Sequence, residues 1–156
     1  MPPVTVQAAS PDDLDALLES VAGLFREDAG QHDSLVDTGW PARDGAAYYS
    51  PLMSDPACLL ALARDGDRVI GHLVGRLSAP SPVRTGGLAV LESMRVAPDA
   101  RRAGVGGLLV RRFFDWAREG GAEQASVTAS AANHPARRFY ARHGFIPQSV
   151  ISRVVL

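Results

Sequence analysis

Apolar residues recur along this chain with two alternating periods, and the switches between them lay out its elements. VTVQA (4–8) alternates residue by residue, as a strand does. SPDDLDALLESVAGLFRED follows, with Leu14, Leu17, Leu18, Val21 and Phe25 on one helical face. Its entry carries Ser10 as an N-cap, Pro11 in the first helical position and acids in the first turn, all suited to the positive end of a helix. AGQHDSLVDTGWP (29–41) reads as a polar loop, and RDGAAYYSPLMSD as a short second helix ended by Pro51. CLLALA (58–63) and RVIGHLVGRLS (68–78) are strands on either side of Asp65-Gly66, a hairpin turn signal. After a Pro/Gly/Ser loop (78–87), GLAVLESMRV (87–96) is the longest strand, expected to bury Leu88 and Val90. GVGGLLVRRFFDWAREGGA places Leu108, Leu109, Arg112, Phe113 and Trp116 at turn spacing and stops at Gly120-Gly121. EQASVTAS predicts a strand, PARRFYARHG a short helix ended by Gly144, and FIPQSVISRVVL (145–156) one or two closing strands. The resulting order is strand, two helices, three strands, then helix, strand, helix and closing strands: an α/β chain without repeats or a dividing linker.

Length and composition keep this picture within one domain. A chain of 156 residues, 46% hydrophobic and 21% charged, buries a sizeable core and is neither disordered nor fibrous. No apolar run approaches the ~20 residues of a membrane span, and MPPVTVQAAS lacks a basic region and apolar signal core. The single Cys58, inside ACLLALA, reads as a small buried hydrophobe, and a cytoplasmic location is the expectation. The four histidines lack metal-ligand spacing, so no metal is expected. Charge is divided: residues 1–67 hold twelve acids against three arginines, and residues 68–156 hold thirteen arginines against five acids. Either these charges are scattered and solvated, or the back half holds an anion while the front half receives a cation.

One stretch bears on the choice. In VAPDARRAGVGGLLVRRFF, glycines and arginines gather where a strand ends and a helix begins. The first N–H groups of a helix lack internal partners and lie at the positive end of its dipole, and glycines let a diphosphate approach them. No Gly-Lys-Ser/Thr follows, and no dinucleotide fingerprint is present, so the two common nucleotide loops do not fit.

Arg101, Gly104 and Gly106 after VAP (96–98), together with NHPARRFYARHGF (Asn133, Ala136, Phe139, Tyr140, Gly144, Phe145), resemble the two signatures of the GNAT superfamily of acetyl-CoA-dependent N-acetyltransferases. The resemblance is clear over about 58–147 and extends to the front only through element order. It implies a mixed, mostly antiparallel sheet flanked by about four helices. In this family the sheet splays between its fourth and fifth strands, here 87–96 and 124–129. It implies that the amides of Arg102, Ala103, Gly104, Val105, Gly106 and Gly107 hold the CoA pyrophosphate, beside Arg101. It also implies that Met94 and Val96 pair with the pantetheine arm, that about 87–145 forms the acetyl-CoA core, and that the front helices (about 10–53) form the acceptor wall. Members are often dimers, and VISRVVL (150–156) offers a segment for pairing with a second copy.

Acetyl transfer needs a neutral amine, a donor to the developing oxyanion and a proton for the departing thiolate. Tyr140 matches the family's proton donor, against the reading that it is a core aromatic on the face of Ala136 and Phe139. Glu92 is the one acid in an otherwise apolar strand, where an unpaired carboxylate is costly. The resemblance implies a general base acting through water; the other readings are a binder of the substrate cation or the partner of an arginine such as Arg95 or Arg76. For Asn133 the resemblance implies contact with the pantetheine or reacting region, against the reading that it caps the helix ahead of Pro135. Glu27, Asp28 and Asp33 are candidates for binding a small-molecule amine, which the acidic front suits best if it is cationic. A binding module that holds acyl-CoA without catalysis is the alternative. Nucleic-acid binding is not expected from a slightly acidic chain without a basic run interleaved with aromatics.

Overall fold

The computed structural model describes residues 3–156. β1 (Thr5–Ala8), β2 (Cys58–Asp65), β3 (Arg68–Ser78), β4 (Gly87–Val96) and β5 (Ala122–Val127) form one sheet in the order β1-β2-β3-β4-β5. The first three pairings are antiparallel and β4–β5 is parallel. The helices α1 (Leu14–Leu24), α2 (Gly30–His32, a single turn), α3 (Trp40–Tyr49), α4 (Val105–Glu119) and α5 (His134–Arg142) cover its two faces. This is the single-domain α/β layout that the periodicities predict, with four helices longer than one turn. No described helix is long and apolar enough to cross a membrane.

Two cores result. On one face Leu109, Phe113 and Ala117 of α4 pack on Leu59, Ala61, Leu73, Ala89 and Leu91. On the other, Leu17 and Val21 of α1 and Tyr49 of α3 pack on Leu60, Leu62 and Val74. Alternate residues of β2 and β3 therefore serve opposite cores, which is why both strands read as nearly continuous apolar runs. In β4 the burial has the opposite phase to the expected one: Ala89 and Leu91 face α4 and are buried, while Leu88 and Val90 are half-buried. Polar residues surround the expected pair too sparsely for alternation to fix the phase.

Three further expectations are corrected. At the helical entry the Ser10 N–H donates to the Asp13 carboxylate (2.9 Å), as does the Ser10 hydroxyl (3.2 Å), and helical structure continues past the end of α1 to His32. Phe25–Ala29 form a π-helical turn and α2 follows, so the loop begins only at Asp33. α3 starts at Trp40, with Pro41 in its first turn, because proline's missing N–H costs nothing there. The closing strands are absent: residues 145–156 carry no strand, and Val150, Val154 and Val155 are at least 80% exposed. Apolar β-branched residues suit a strand, but pairing needs an aligned neighbouring edge, and Pro147 withholds one N–H.

Between α1 and the sheet lies one fully buried imidazole, His72 of β3. Burial, reinforced by the charge of Arg95, lowers its pKa to about 3. The folded protein therefore keeps the ring neutral while the unfolded chain protonates it below pH ~6.5. The sign follows: this contribution to stability is full above pH ~6.5 and is lost as pH falls toward 3. Between pH ~7.5 and ~5 the folded state is expected to lose about 2 kcal/mol from this group. Urea denaturation at the two pH values checks it, with His72→Gln expected to flatten the difference.

Candidate functional site

The parallel ladder between β4 and β5 runs from Gly87 opposite Ala122 to Leu91 opposite Val127, and there it ends. β4 continues to Val96. Glu92–Val96 consequently have no β5 partner, and apart from Val96 O, which accepts from Arg101, their backbone groups on that edge are left for an extended ligand. At the same point the β3–β4 register shifts: Val74 faces Ser93 while Gly75 faces Leu91, so Glu92 is an inserted residue. Such a bulge breaks the alternation. Glu92 and Ser93 both reach residues on the α1/α3 side, whereas Met94 and Val96 pack toward the α4 core.

Beyond Val96 the chain makes a short 3-10 turn (Pro98–Ala100) and enters α4 through Arg102 (φ 62°) and Gly104 (φ 81°). Two left-handed residues in three turn the loop's amides outward. Among the described residues, none of the N–H groups from Arg102 to Gly107 has a hydrogen-bond partner; the first bond of α4 runs from Leu108 N–H to Gly104 O (3.2 Å). Six free amides at the positive end of a fifteen-residue helix suit a diphosphate. The glycines differ in purpose. A Cβ on Gly104 would meet nothing within 4 Å, so its glycine answers to the backbone angle. A Cβ on Gly106 would lie 2.9 Å from the Phe139 ring and 3.2 Å from Met94, so that glycine lets α5 close on α4. Val105 is a core residue with its side chain buried. Arg101 turns back, donating from Nε to Val96 O (2.8 Å) and from its terminal nitrogen to Glu27 (2.6 Å).

The acids expected to receive a substrate cation are engaged with the protein itself. Glu27, on the π-helical turn, accepts from Arg95 (2.7 and 3.1 Å) and Arg101, and the Arg95 bond above all holds its carboxyl below the usual range. Asp28 accepts from the Asn133 amide (2.9 Å) and lies 3.5 Å from His32. Asp33 meets Arg153 of the C-terminal segment at 2.7 Å. Asn133 does cap α5, accepting from Ala136 N–H (3.2 Å), while its amide reaches the front of the chain. Charge division thus becomes attachment: front carboxylates hold back-half cations.

Glu92 is also paired. Arg76 Nε donates to one oxygen (2.7 Å) and the Tyr48 hydroxyl donates to the other, while Arg76 also donates to the Tyr48 hydroxyl (2.6 Å). Tyr48 belongs to an aromatic wall, with Trp40 at 5.3 Å and Phe25 stacked on Trp40 at 5.8 Å. Tyr140 packs edge-on against Phe139 and Phe145, and burial, with the negative charge of Asp28, raises its hydroxyl to about 12. It therefore keeps its proton throughout the neutral range. Tyr48, His72 and Ser93 were not singled out from the sequence. The signal for the bulge was present, since Glu92-Ser93 are adjacent polar residues in an apolar strand.

The Acetyltransferase (GNAT) family profile matches residues 18–145. The chain belongs to this family. No curated protein matches it in sequence. Among solved structures, this GNAT chain is similar to a transcriptional regulator from Bacillus halodurans C-125 (22% identity, TM-score 0.77, covering 99% of this chain and 100% of that one). It is similar to the aminoglycoside 6'-N-acetyltransferase AAC(6')-IG from Acinetobacter haemolyticus (19%, TM-score 0.75, 97% of each chain). A third is the aminoglycoside acetyltransferase meta-AAC0020 from an uncultured soil metagenomic sample, in complex with sisomicin (17%, TM-score 0.73, covering 98% of this chain and 96% of that one). These likenesses show the same fold over 97–99% of the chain. Among the described residues, no group of His, Cys, Asp and Glu is arranged to hold a metal ion.

The two glycines of the GNAT loop are expected to respond differently to alanine. Gly104→Ala should cost about 1–2 kcal/mol through its left-handed backbone. Gly106→Ala should cost about 1–3 kcal/mol through crowding, partly recovered by Phe139→Leu. Urea midpoints of the single and double variants measure both.

Proposed function

We propose that this GNAT domain is an acetyl-CoA-dependent N-acetyltransferase acting in the cytoplasm on a small primary amine, by direct transfer in a ternary complex. The observation that carries this reading is the open β4 edge at Glu92–Val96 leading into six unpartnered amides at Arg102–Gly107. Those amides would hold the pyrophosphate, and the backbone of Met94 and Val96 would hold the pantetheine arm as an added strand. Bound acetyl-CoA supplies the thioester whose acetyl group moves to the amine. Arg101 braces the loop against Glu27 and Val96, and Asn133 fixes the start of α5 so that Tyr140 is held in place. Tyr140 would give a hydrogen bond, and then its proton, to the sulfur as it leaves, and would regain a proton from the one that the attacking nitrogen loses, carried through water. A hydroxyl raised to about 12 surrenders that proton only as the thiolate forms.

The acceptor would lie over the face formed by α1 and α3, with Phe25, Trp40 and Tyr48 as an apolar wall. Similarity to aminoglycoside acetyltransferases supports a cationic amine. Glu27, Asp28 and Asp33 would contribute through their field, since each already has a partner. For Glu92, ion pairing to Arg76 supports the role of organiser of Tyr48 and Arg76 over that of base. The same pairing favours a second reading, an acyl-CoA-binding module without catalysis.

Thiol release with acetyl-CoA and a panel of polyamines, aminoglycosides and amino acids separates the two. Turnover of an amine supports the enzyme, coenzyme binding by calorimetry without turnover supports the module, and no binding at millimolar ligand defeats both. With the preferred amine, Tyr140→Phe is expected to lower kcat by about 100-fold while leaving the acetyl-CoA dissociation constant within about twofold. Unchanged turnover would remove Tyr140 from the reaction.

A further inference from the structure

A buried polar chain crosses from α1 to the open part of β4. Ser20 of α1, 4% exposed, has its Oγ 2.6 Å from Nδ1 of the fully buried His72. On the opposite side of the ring, Nε2 lies 2.7 Å from Oγ of Ser93. Burial, with Arg95 adding its positive charge, keeps this imidazole neutral, so it has one N–H and one lone pair. The protonated nitrogen follows from satisfiability. Among the described residues Ser20 Oγ has His72 as its one hydrogen-bond partner, and no buried side-chain polar atom is left without one. If Nδ1 carried the proton, the buried Ser20 O–H would have no acceptor, which is the costly arrangement. The Ser20 hydroxyl therefore donates to Nδ1, and Nε2–H donates to Ser93 Oγ.

That direction has a consequence at the other end. Ser93 accepts from His72, so its own O–H is not used by the ring, and among the described residues Ser93 Oγ has no hydrogen-bond partner besides His72. The carboxylate of the preceding residue, Glu92, is already held by Tyr48 and Arg76. Ser93 is half-buried and lies on β4 immediately after the inserted residue, beyond the last β5 pair. We infer that Ser93 is a hydrogen-bond donor to an oxygen of bound substrate at the mouth of the β4–β5 opening. His72 and Ser20 act through it as positioning residues that set the direction of its hydroxyl. Resting on the acetyl-transfer reading above, that oxygen is the thioester carbonyl, whose negative charge grows as the amine adds. Ser93 forms no covalent bond and keeps its proton.

The test has two arms. In uniformly 15N-labelled protein without ligand, long-range 1H–15N correlation of the His72 ring, identified by its loss in His72→Gln, is expected to show Nε2 protonated and Nδ1 bare. Ser20→Ala is expected to release this preference and mix the tautomers. A protonated Nδ1 in the unaltered protein overturns the inference whatever the activity. In the second arm, Ser93→Ala is expected to lower kcat at least about tenfold, with acetyl-CoA binding by calorimetry little changed, and Ser93→Thr to restore most of it. Turnover within twofold of the parent in Ser93→Ala overturns the donor role alone and leaves the acetyltransferase standing. The Nε2–H tautomer in a protein that neither binds nor consumes acetyl-CoA overturns the assignment of the oxygen together with the proposed function.

Discussion

Past Leu91 and Val127 the two parallel strands stop sharing hydrogen bonds, and the fold around them is arranged to make that break sustainable. Unpaired strand backbone is expensive when buried and hazardous when exposed. Here the open stretch is five residues long and ends in the 3-10 turn and the glycine-bearing entry to α4. The inserted Glu92 sits at the first unpaired position. The bulge and the break therefore coincide, and together they set two polar side chains side by side on the α1/α3 face. A regular β4 would have placed one of them in the α4 core.

The polar residues around the opening are held by one another, and these bonds join distant parts of the chain. Glu27 connects the end of α1 to Arg95 on β4 and to Arg101 before α4. Asp28 connects the same turn to Asn133 at the start of α5. Glu92 ties Arg76 of β3 to Tyr48 of α3. Each ion pair alone contributes little where water reaches it, since exposed pairs are worth at most about 1 kcal/mol. Their common effect is geometric. Four elements that could slide over the sheet are registered at the opening by directional bonds. The π-helical turn makes this possible, because it offers Glu27 and Asp28 to different partners from adjacent positions.

Much of this was legible in the residues and some was not. Strand and helix spans follow from the two periodicities almost everywhere, and the helix-opening loop follows from its glycines and its two signatures. The phase of burial in β4 is not legible because Leu88, Ala89, Val90 and Leu91 are all apolar, and only the fold decides that Ala89 and Leu91 join a core. The closing strands were expected from β-branched composition, which describes a preference and supplies no partner edge. Gly106 reads as a phosphate glycine, and the fold adds a second demand on it, since a Cβ there would crowd Phe139.

What the sequence by itself determined is local: where the chain is extended, where it coils, and where a helix begins with bare amides, since these depend on neighbours within a few residues. It also determined the family, through motifs that are contiguous. Tertiary structure alone decided the partners of each charge, for Glu27 meets Arg101 across 74 positions and Asp28 meets Asn133 across 105. It alone decided that His72 stands between two serines from other elements. The physical reason is that ion pairs and hydrogen bonds are fixed by proximity in space, to which composition and periodicity are blind.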